Sequence, residues 1–131
     1  MGESGEEGGR TREPLNVYRK LKFKALEKFP EIVEDAVIER EPGSTPRNLR
    51  IFLIDDSFLD IWISEEKYSY HWQSKDKIVR FDNAPHHEDV QTFPHHRHIE
   101  EDIHDSPLVG KHLEDFEKVL KYVRNNCVEL E

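Results

Sequence analysis

Between residues 48 and 82 the chain repeats one rhythm four times: six or seven residues rich in β-branched and aromatic side chains, then a short polar break. The runs are Asn48 to Ile54, Phe58 to Ile63, Lys67 to Gln73 and Lys77 to Asp82. The breaks are Asp55-Asp56-Ser57, Ser64-Glu65-Glu66 and Ser74-Lys75-Asp76, all turn-forming. Strands joined this tightly must run antiparallel, because a parallel crossover takes about a dozen residues. A meander is therefore expected. Side chains alternate between sheet faces along each strand. Tyr68, Tyr70 and Trp72 share one face with Val79 and Phe81 as the apolar set. His71, Arg80 and Asp82 share the opposite, polar face.

Helical spacing flanks the meander. Leu15, Tyr18, Leu21, Ala25, Leu26 and Phe29 recur at intervals of three and four, and Pro30 ends the pattern. Arg19, Lys20, Lys22, Lys24 and Lys28 make a basic face on this helix, a solvated face by preference and an RNA contact as the alternative. A brief helical turn after Ile32 leads into a strand from about Asp35 to Arg40. Leu113, Phe116, Val119, Leu120 and Val123 predict a second helix. The expected fold class is α+β: a mostly antiparallel sheet of about five strands, an N-terminal and a C-terminal helix, and a long His-rich loop over Asn83 to Ser106. Residues 1–12 read as a disordered leader and 13–127 as a single domain.

Charge and composition narrow the function. Nineteen Lys and Arg against 28 Asp and Glu give a net charge of −9. An acidic surface argues against nonspecific nucleic-acid binding, which needs cations facing phosphates. No apolar run approaches the ~20 residues of a membrane-spanning helix, and no signal peptide is read at the N-terminus. The single cysteine, Cys127, rules out an intramolecular disulfide and reads as incidental rather than nucleophilic. A reducing, cytoplasmic location is expected.

Six of the eight histidines fall between Asn83 and Ser106, including the pairs His86-His87 and His95-His96. Three readings stay open. The first is a metal site: His96 and His98 project to one side of an extended chain, with Asp82, His86 or His87 completing a shell. The second is acid–base chemistry, in which imidazoles exchange protons near neutral pH and a guanidinium holds developing negative charge. RNA cleavage by its own 2′-hydroxyl has these requirements. The third is a bland loop whose histidines cap backbone groups and bond carboxylates. Core packing is the preferred role for Tyr68, Tyr70 and Trp72, ahead of base stacking.

Three stretches carry a resemblance. They are Lys67-Tyr-Ser-Tyr-His71-Trp72-Gln73, Ile78-Val-Arg80-Phe81-Asp82-Asn83-Ala84-Pro85-His86-His87, and Thr92-Phe93-Pro94-His95-His96-Arg97-His98. Together they resemble the TumE-type toxins of prokaryotic toxin–antitoxin pairs, from near Leu15 to Val123. Asp55-Asp56-Ser57 stands where such proteins tend to have Asp-Gly-Ser. The resemblance implies a small cytosolic toxin with ribonuclease-like activity, encoded beside a DNA-binding antitoxin of helix-turn-helix type. It favours Asp82, Asn83, His96, Arg97 and His98 as the functional core, because shorter relatives keep an Asp-Asn pair and a terminal His-Arg-His. His71, Arg80, His86, His87 and His95 are then substrate-binding candidates.

The expected assignment follows. His96 and His98 act as base and acid, Arg97 or Arg80 stabilises the phosphorane, and Asp82 orients a histidine, with no metal and no cofactor. RNA is the expected substrate, and a homodimer is compatible with the sequence. The alternatives are a metal-binding protein or metal-dependent nuclease using the same histidines, and a non-enzymatic module whose exposed sheet face receives a partner.

Overall fold

The computed structural model describes residues 2–43 and 45–126, with side chains from residue 14 onward. The side chains of the expected leader, and Cys127, lie outside the described residues. In chain order come α1 (Gly2–Lys28), β1 (Val33–Arg40), β2 (Pro46–Leu53), β3 (Phe58–Ile63), β4 (Tyr68–Gln73), β5 (Ile78–Asp82), β6 (His96–Ile99), β7 (Asp102–Asp105) and α2 (His112–Asn126). The architecture is α+β, as the spacing predicts.

The seven strands form one sheet in strict sequence order, each antiparallel to the next. The expected count of about five is corrected to seven. The segment read as an irregular loop folds back as a hairpin, β6–β7, on the edge of β5. Its turn is Glu100-Glu101, with Glu100 at φ 57°, the left-handed conformation that two-residue hairpin turns require. What remains irregular is 83–95, tied down by backbone turns and by a hydrogen bond from the Gln91 amide to Asp105.

Both helices cover one face of the sheet. From α1 come Tyr18, Leu21 and Ala25; from α2 come Phe116, Val119, Leu120 and Val123. They bury Leu49, Ile51, Leu59, Ile61, Tyr70, Trp72, Val79 and Phe81, the inward half of each alternating strand. The apolar set read from β4 and β5 is thus the core face. Each such residue withdraws about 1.5–3 kcal/mol worth of side chain from water, which gives this charge-rich chain its core. Tyr18 hydrogen-bonds across the layers, donating to the Arg47 carbonyl and accepting from the Ile63 amide.

Two expected core positions differ. Leu26 and Leu113 are exposed, and Asp115 is buried instead. The Asp115 carboxylate gathers the amides of Val109 and Gly110, at 3.0 and 2.8 Å, just before α2. That bonding compensates an otherwise costly buried charge and fixes the entry of the helix. On the surface Glu117 receives Lys24 and Lys28 from α1, at 2.8 and 2.9 Å. The hydrogen bonds from Lys24 and then Lys28 hold its carboxyl well below the usual range, at about 2.

Candidate functional site

The uncovered face of the sheet carries a row of polar side chains at one register level. Arg50, Asp60, His71, Arg80 and His98 stand opposite one another across β2 to β6. The neighbouring level carries Trp62, Ser69, Asp82, His96 and Asp105. Such order follows from antiparallel pairing, which places directly opposed residues on the same face. At one end the Arg50 guanidinium grips Asp60 through two bonds of 2.7 Å. Sequence reading missed this buried carboxylate. The signal was Asp60 at an alternate position in an otherwise apolar strand.

At the other end the histidines converge on Asp82. That carboxylate is buried and has three donors within reach. The Arg80 Nε donates at 2.8 Å, the Ala84 amide at 3.1 Å, and the His96 Nε2 lies 2.8 Å away. The other nitrogen of His96 faces the Pro94 carbonyl at 3.0 Å. Both nitrogens of this buried ring are thus engaged within the fold. The His98 Nε2 lies 3.8 Å from Asp82. It is buried and, among the described residues, makes no hydrogen bond. Burial and then the Arg80 charge lower the His98 pKa, while Asp82 pulls it the other way.

His87 closes the cluster from the irregular connection. Its ring centroid is 4.8 Å from that of His96 and 5.4 Å from that of His98, and the last two are 4.7 Å apart. One nitrogen of each ring lies within 4.8 Å of the others. An open groove of about 540 Å³ leads to Asp82, lined by Arg47, Trp62, Lys67, Arg80 and Asn83 among others.

The structure therefore brings Asp82, His96, His98, Arg80 and His87 together. His71 stands beside Arg80 in the row, bonded to Gln73 at 3.1 Å. His86 is exposed, its ring centroid 6.4 Å from that of His87. Three candidates lie elsewhere. Arg97 alternates with its neighbours along β6 and points to the helix side, its guanidinium 5.6 Å from the centre of the Tyr122 ring. His95 also faces that side, within 2.7 Å of the Tyr68 hydroxyl. Asn83 spends its amide on backbone, accepting from Tyr68 N and donating to Glu66 O, and so clamps the β4 start to the β5 end.

A family model described as toxin TumE matches residues 22–127. The chain belongs to the TumE toxin family. The match spans the end of α1, every strand and α2, so the whole histidine cluster lies within the TumE region. Neither curated proteins nor solved structures gave a match. Among the described residues, no helix of this TumE protein is long and apolar enough to cross a membrane.

Proposed function

We propose that this toxin acts in the cytoplasm by cleaving RNA at the Asp82–His cluster, and that a helix-turn-helix antitoxin neutralises it. The observation that carries this reading is the meeting of three imidazoles with a carboxylate and a guanidinium, the last two of which line an open groove. These are the groups that transesterification of a phosphodiester calls for.

In this reading the strand lies along the groove with its phosphate at Arg80. The imidazole of His98 takes the 2′-hydroxyl proton. The 2′-oxygen attacks phosphorus, and the bond to the 5′-oxygen breaks, leaving a 2′,3′-cyclic phosphate. His87, entering as imidazolium, returns a proton to the departing 5′-oxygen. A lowered pKa suits His98 to begin as the neutral base. His96 serves better as a positioning residue than as the acid, because both its nitrogens are engaged within the fold.

The test is cleavage of cellular RNA by purified protein, with mapping of the ends, together with growth arrest on induction. His98→Ala and His87→Ala should each lower cleavage about 100-fold or more, the usual worth of a general acid or base. Unchanged cleavage in both variants overturns the reading.

A further inference from the structure

We propose that the His87–His96–His98 triangle is a transition-metal site of the zinc class, and that the ion silences the toxin by occupying the lone pairs that proton transfer needs. The regulatory half rests on the acid–base reading above; the binding half does not.

The three imidazoles stand nearly perpendicular to one another, at 70°, 75° and 74°. Such edge-on rings occur in plain packing too, but here one nitrogen of each ring lies within 4.8 Å of the others, which brings three lone pairs within reach of one ion. A buried, unbonded Nε2 on His98 is the kind of orphan that a native fold explains by a ligand. A shared cation satisfies all three nitrogens at once.

The surroundings are those of a ligand set. The Pro94 carbonyl receives the Nδ1–H of His96, which fixes the tautomer and leaves Nε2 as the coordinating atom. Metal-bound histidines are held in this way by an outer carbonyl or carboxylate. Asp82 stands outside this converging trio but beside His96, and it supplies the fourth ligand once the site closes. Its Oδ1 is 2.8 Å from the His96 Nε2, while Arg80 holds Oδ2. In the metal-bound state the ion replaces the proton between Oδ1 and Nε2. Three imidazoles and one carboxylate suit zinc, nickel or cobalt(II), in tetrahedral geometry for zinc.

Distances set the required movement. Zinc–ligand bonds of about 2.0–2.1 Å place tetrahedral ligand atoms about 3.3 Å apart. Nitrogens now within 4.8 Å must close by at most about 1.5 Å. His96 and His98 are fixed on β6, so His87 makes the adjustment, standing in the irregular connection with a partly exposed side chain. His86 points away and is no ligand.

The experiment uses the full chain without a polyhistidine tag, stripped with EDTA, dialysed and titrated with zinc chloride by calorimetry. One ion per chain is expected, with tetrahedral d–d bands when cobalt(II) is used instead. His87→Ala and His98→Ala should each weaken binding about 100-fold or more, since losing even an outer partner costs about 10–100-fold. His86→Ala should bind as the parent does. Circular dichroism confirms that each variant is folded. Absence of stoichiometric binding, or parental affinity in both ligand variants, overturns the site. For regulation, equimolar zinc should abolish RNA cleavage and EDTA should restore it. Zinc-stimulated cleavage would overturn the silencing claim and leave the site standing. RNA left uncut with or without zinc would overturn the acid–base reading and, with it, the silencing claim; the binding result would still stand.

Discussion

Replacing Asp82 by asparagine should destabilise the fold by about 2–3 kcal/mol, although shape and volume hardly change. The figure follows from the three donors. The His96 bond is buried, and replacing the anion costs about 1.5–2 kcal/mol because an asparagine oxygen receives the same ring nitrogen only in the weaker, uncharged form. Arg80 is 42% exposed, so its pair with Asp82 contributes only about 0.5 kcal/mol. The Ala84 amide is served equally well by an asparagine oxygen, so it adds nothing. Urea denaturation in EDTA, followed by tryptophan fluorescence, measures the sum. With a slope of about 1.5 kcal/mol/M, the midpoint should fall by about 1.3–2 M. A midpoint within about 0.3 M of the parent would refute the claim that Asp82 organises this end of the sheet.

The placement of the two arginines predicts opposite outcomes. Arg80→Met should cut RNA cleavage about 100-fold, as loss of a charge-stabilising donor does, whereas Arg97→Met should leave it within about 2-fold and cost about 0.5–1 kcal/mol by thermal melting. Cleavage lost in the Arg97 variant alone would reverse the assignment. At the helix pair, Glu117→Gln should lose about 1 kcal/mol at neutral pH, a modest effect because these groups are at the surface. The Glu117 carboxyl is depressed to about 2, so its contribution is present above the ordinary value of 4.5 and fades as pH falls toward 2. Melting curves of parent and variant should therefore converge in acid; a gap that persists at pH 2 would dissociate stability from this carboxylate.

The meander and both helices are legible because burial imposes its own period on the chain. Leu59, Ile61, Tyr70, Trp72, Val79 and Phe81 alternate, and polar breaks separate their runs. The β6–β7 hairpin escapes that logic. His96 to Asp105 has no apolar alternation, and Glu100-Glu101 lacks the Gly or Asn that usually marks a left-handed turn. Backbone pairing to β5 holds it, and that pairing leaves no trace in composition. The same gap explains Arg97. In a loop it could flank two histidines as a partner, but in a strand the pleat turns it toward Tyr122. Asp82 with His96 and His98 was readable from chemistry alone. The place of His87 was not, since it depends on how residues 83–95 fold back.

Because neighbours in sequence are neighbours in the sheet from end to end, the histidine cluster is completed only by the sixth strand. A polypeptide emerging from a ribosome displays Asp82 long before it displays His98, and β5 finds no sixth strand until residue 96 has left the tunnel. Products ending before that point lack His96, His98 and the core face of α2 alike.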